Sequence, residues 1–110
     1  MSEQRIEKSK AAIEAADHIP AEKKAELLES LAKLKPAIAK VSPTHKEDAQ
    51  TIARLLEAST HEATRKEKRA GALKKVLDEL KGSIEKFEAS HPKLVELVGE
   101  YSTRLANMGL

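Results

Sequence analysis

The sequence predicts an all-α protein, an antiparallel helical bundle or array of four to five helices. Three observations carry that prediction. From Leu73 onward the positions Leu73, Leu77, Leu80, Ile84, Phe87, His91, Leu94, Val98, Tyr101, Leu105 and Met108 follow one another in alternating steps of four and three. That is the a/d spacing of a helix, of coiled-coil type, whose apolar stripe packs against other helices. A second seam, Leu27, Leu31, Leu34, Ile38 and Val41, repeats the same steps. The segments between the seams begin or end at Pro, Gly or Ser/Thr pairs, the residues that start and stop helices.

The expected helices span about residues 2–17, 20–41, 44–66, 72–88 and 92–108, in a single domain of 110 residues. The first has a narrow face of Ile6, Ile13 and Ala16, with Ala11, Ala12 and Ala15 raising its propensity; a face so narrow holds only if it docks. Pro20 suits the first position of the second helix. Pro36 lies inside the second seam, and because the apolar phase continues across it a bend is expected rather than an end. At Ser42-Pro43-Thr44-His45-Lys46-Glu47-Asp48 two starts are open. Ser42 with Pro43 fits N-cap and N1, and Thr44 with Glu47 fits a capping box. Ala49, Ile52, Ala53, Leu55 and Leu56 form the buried face that follows. From Ser59 to Lys68 the apolar signal fades, and Ala70-Gly71 is the expected breaker before Ala72.

Ser90-His91-Pro92 interrupts the long seam once. Its unbroken phase argues for one kinked helix; the cost of an interior proline, and its fitness for a first turn, favour two helices with a corner between them. Gly109 and Leu110 complete a Schellman-type stop, with Leu110 folding onto Leu105.

The run Phe87-Glu88-Ala89-Ser90-His91-Pro92-Lys93-Leu94, followed by Leu105-Ala106-Asn107-Met108-Gly109-Leu110, resembles the C-terminal signature of a family of short bacterial proteins, domain of unknown function 4404. His61-Glu62-Ala63-Thr64-Arg65 is similar to its longer members. The resemblance covers about the last 50 residues. It implies a helical fold and a bacterial source, and it brings no activity, cofactor or site residue with it.

Composition narrows the functional classes. Hydrophobic residues make up 40% of the chain, but 17 residues are alanine and there is one Phe and one Tyr, so the core is thin. Twenty basic residues against eighteen acidic ones leave a net charge of +2, no nucleic-acid signature by itself. The chain has no Cys, hence no disulfide, thiolate nucleophile or Cys-based zinc site. No apolar run approaches the ~20 residues of a membrane span, and Met1 to Arg5 lead into no signal-peptide core. A cytoplasmic protein is expected.

Candidate chemistry is sparse. Glu88-Ala89-Ser90-His91 has the Glu-x-x-His spacing of di-metal bundles, but these need two such motifs and Pro92 spoils the helix at this one. No metal, cofactor or enzymatic activity is expected. Arg65, Lys66, Lys68, Arg69, Lys74 and Lys75, with one acid among them, could track a phosphate backbone. No aromatic lies among them for base stacking, and charge runs more often face solvent. The expected function is that of a non-enzymatic structural or protein-interaction module, with weak sequence-independent nucleic-acid binding as the alternative. The expected partner is a second copy or another helical protein. The first helix and residues 59–70 offer little to cover the seams, so Leu77, Leu80, Ile84, Phe87, Leu94, Val98 and Tyr101 are the expected self-association seam of a homodimer.

Overall fold

The computed structural model describes residues 2–109, which form five α-helices and one short 3-10 turn. The helices are α1 (Ser2–Ala15), α2 (Ala21–Val41), α3 (Lys46–Ala63), α4 (Ala72–Ile84) and α5 (Pro92–Gly109), with the 3-10 turn Glu85–Phe87 extending α4. Among the described residues there is no strand. The radius of gyration is 13.0 Å, close to the about 13 Å of a chain of this length packed around its own core.

α3 is the hub. It packs against each of the other four helices, whereas α1 meets only α2 and α3, and α2 does not touch α4. A hub helix must be approachable from several sides, and α3 achieves this with small buried residues: Ala49, Ala53, Ser59, Thr60 and Ala63. Helix axes come closest where contact side chains are smallest. The fading apolar signal after Ser59 was therefore a poor guide. Ser59 and Thr60 are fully buried, with their hydroxyls donating to the Leu55 and Leu56 carbonyls at 2.7 and 2.8 Å. Back-bonding of this kind satisfies the hydroxyl, so burying it is inexpensive.

α1 docks. Ile6, Ser9 and Ile13 form its buried stripe, Ala16 just beyond its end is buried too, and the Ser9 hydroxyl is satisfied by the Arg5 carbonyl. Arg5 pairs with Glu57 of α3 at 2.8 Å, and Lys24 donates to the Glu14 carbonyl near the end of α1. α2 runs through Pro36 without ending. Proline there removes the amide that would bond the Ala32 carbonyl, at a cost of roughly 3 kcal/mol in a helix interior; the flanking Leu34 and Ile38, both buried, hold the helix together.

Two caps differ from expectation. α3 starts at Lys46 after His45, so neither Ser42 nor Thr44 caps it. Ser42 instead continues the turn of α2, donating its N–H to the Ile38 carbonyl, and the Thr44 hydroxyl bonds the Val41 carbonyl. α3 ends at Ala63, three residues short of the expected boundary, where the Thr64 hydroxyl turns back to the Thr60 carbonyl at 2.8 Å. Gly71, at φ +74°, makes the left-handed turn into α4 that other residues resist. At the second proline the chain turns a corner: the His91 N–H bonds the Phe87 carbonyl at 2.7 Å and α5 begins at Pro92. The expected contact of Leu110 with Leu105 lies outside the described residues.

Candidate docking surface

Most of the expected self-association seam, at an interface or directly beneath one, lies beneath the surface of this chain. Leu80, Ile84, Phe87, Leu94, Val98 and Tyr101 are buried in the chain's own core, and of the seven residues only Leu77 is half-buried. α4 and α5 pack on each other and both pack on α3, and these contacts bury the seam, while α1 covers α2 and α3 instead. What the fold leaves open is the neighbouring face. Leu77 and Ile84 of α4, with Val95 and Val98 of α5, floor an open groove of about 550 Å³. The α5 side is lined by Gly99, Ser102 and Ala106, and a Cβ added at Gly99 would meet nothing within 4 Å. The rim carries Asp78, Lys81, Glu85 and Glu88. Asp78 is held by Lys74 at 3.0 Å; Lys81, Glu85 and Glu88 join none of the ion pairs among the described residues. Val95, Gly99, Ser102 and Ala106 were visible in the sequence at helical spacing, but their small size concealed them beside the larger seam.

The basic stretch folds back on itself. Glu62, only 7% exposed, is gripped by Arg69 through both carboxylate oxygens and approached by Arg65 at 3.8 Å. The Arg69 hydrogen bond, opposed by burial, holds the Glu62 carboxyl below the ordinary glutamate range. Lys68 donates to the Ala63 carbonyl at the negative end of α3, where the last carbonyls lack helical partners. Burial lowers its ammonium, with Glu62 pulling it back up. Of the six cations, Arg65, Lys68, Arg69 and Lys74 thus have intramolecular acceptors, leaving Lys66 and Lys75.

Two of the four histidines, His45 and His91, meet edge-on at 6.0 Å beside Phe87. His91 stacks edge-on with Phe87 at 5.7 Å, and His45, at the start of α3, meets Phe87 at 5.4 Å. These T-shaped contacts, with Lys86 to Asp48 at 2.8 Å, pin the corner to α3. Among the described residues no group of three or more His, Asp or Glu is placed to hold a metal. Tyr101 is fully buried; its hydroxyl meets Thr60, whose own proton goes to the Leu56 carbonyl, and burial pushes its phenol well up. It joins α5 to α3. No helix among the described residues is long and apolar enough to cross a membrane.

These features define a small all-α bundle closed around its own core, with apolar grooves along α5 and one buried carboxylate, Glu62, held by arginine. A family model described as "Domain of unknown function (DUF4404)" matches residues 27–110, and the chain belongs to that family. The match begins well before the C-terminal signature, near the start of the first seam. No curated protein and no solved structure matches the chain.

Proposed function

We propose that this protein is a non-enzymatic interaction module that pairs with a second copy through the groove between α4 and α5. The observation that carries the reading is that groove's composition: an apolar floor, a wall of Gly99, Ser102 and Ala106 that lets another helix approach closely, and a rim of mixed sign. A two-fold interface must be self-complementary. Lys81 lies one helical turn from Glu85 and two from Glu88, so a copy docked in the reverse direction sets each lysine against its partner's glutamates. Arg65, Lys68, Arg69 and Lys74 each have an intramolecular acceptor, which favours this reading over nucleic-acid binding. A bacterial cytoplasm is the proposed setting.

Light scattering over a wide concentration range tests it, with Gly99→Leu as the diagnostic variant. A Cβ added at this position meets nothing within 4 Å, and Gly99 lines the groove, so the larger residue is expected to occupy the groove rather than the core. It also removes a helix glycine, which raises stability by roughly 0.5–1 kcal/mol. The expected outcome is a dimeric wild type and a monomeric variant that melts higher. A wild type that stays monomeric at every concentration, or a variant that still dimerises, overturns the proposal.

A further inference from the structure

The other flank of α5 carries a second cleft, of about 530 Å³, between α2 and α5. Its floor is Pro36 and Ala37 from α2 and Leu94 and Leu97 from α5, and His91 and Pro92 close one end. Its charged lining residues are Lys33, Lys40 and Lys93, with no acid among them. Lys33 and Lys93 reach Glu29 and Glu96 on their own helices at 3.5 and 3.6 Å. Such exposed pairs are weak and easily exchanged. Lys40 has no ion pair among the described residues. Pro36 is a second and independent oddity. It breaks the hydrogen-bond ladder of α2 at an exposed position, so the core gains nothing from it, yet its ring lines the cleft. Local rules broken without benefit to packing concentrate at functional surfaces.

We infer that this cleft docks an amphipathic helix of another protein, one whose apolar stripe is flanked by Asp and Glu. The argument is charge complementarity around an apolar floor. The floor takes two or three apolar anchors at helical spacing, and the lysines meet the flanking carboxylates. The cleft is open along one side, so an occupant keeps one face in water. An amphipathic helix has such a face. A small amphiphile is normally held with most of its surface enclosed. At physiological salt the screening length is about 8 Å, so the lysines act on a helix seated in the cleft rather than at a distance.

The test is a selection on the full-length protein. A displayed library of helical peptides carries fixed leucines at i, i+4 and i+7, with flanking positions varied among Glu, Gln and Lys. The inference expects enrichment of Glu at the flanks. It further expects the selected peptide to bind roughly ten-fold more weakly to the Lys40→Glu/Lys93→Glu variant, and to weaken with added salt. Both replaced lysines are exposed, and circular dichroism confirms the variant's fold. Gly99→Leu should bind the peptide unchanged, which separates this cleft from the groove on the other flank. Enrichment of Lys or Gln, no enrichment, or equal binding by the lysine variant overturns the inference. So does binding of dodecanoate or anionic phospholipid vesicles through these lysines in the absence of any peptide binder, which would make the cleft a lipid site.

Discussion

Two basic regions of this molecule differ in opposite ways. Residues 65–75 pack six cations into eleven positions of sequence, yet Arg65, Lys68 and Arg69 turn onto Glu62 and the end of α3, and Lys74 makes an exposed pair with Asp78. Lys33, Lys40 and Lys93 are scattered over sixty residues, yet they rim one apolar cleft with no acid in its lining. Density of charge along a chain and density of free charge on a surface are different quantities. The first is set by composition; the second depends on where acids and helix ends are brought by packing.

The comparison breaks most severely at the corner that carries Lys93. Phe87 is buried beneath His91, which closes the cleft. Phe87→Ala should cost about 3–5 kcal/mol in a denaturant titration, as a buried aromatic removed from a packed core does. The same variant should leave the Glu62 cluster, at the other end of α3, in place. The joint between α5 and that end of α3 is the Tyr101–Thr60 hydrogen bond. Because Thr60 keeps its bond to the Leu56 carbonyl, Tyr101→Phe strands no buried donor, and a loss of about 1 kcal/mol is expected.

Glu62→Gln sharpens the contrast directly. The Glu62 carboxyl is held low in the fold by the Arg69 hydrogen bond, so its contribution is fully present above the ordinary glutamate value of 4.5 and is lost as pH falls through the lower folded value. The wild type should therefore melt a few degrees above Glu62→Gln at neutral pH, with the gap closing as the solution is acidified below about pH 4. A gap that persists at low pH would mean the carboxylate charge is not the cause. The same variant frees Arg65 and Arg69, and any nucleic-acid retention at low salt should appear in it before it appears in the wild type. The smallest effect belongs to Pro92→Ala. At the first position of α5, Pro92 acts mainly on the unfolded chain, so stability should fall by less than about 1 kcal/mol. A marked rise in Tm would mean that the proline strains the corner instead.

The family resemblance rested on the corner residues Phe87 to Leu94 and on Leu105 to Leu110, and the family match reaches back to Leu27. The surface was less legible than the helices. The seam residues Leu80, Ile84 and Phe87 were read as an interface because their apolarity was counted against the large side chains of α1 and residues 59–70. The small ones, Ser59, Thr60 and Ala63, weigh little in such a count, yet they lie on the buried face of α3, which packs against both α4 and α5.

The sequence alone determined that the chain is helical, and which residues of each seam share one face. Both follow from periodicity and from Pro, Gly and polar residues acting within a turn or two of themselves. Only the tertiary structure decided that α3 is the hub, that Glu62 engages Arg65 and Arg69, and that Lys33, Lys40 and Lys93 share one cleft. Those outcomes depend on side chains far apart in sequence and on the size of small residues at helix crossings. Spacing along a single helix carries no record of which neighbour its small residues will admit.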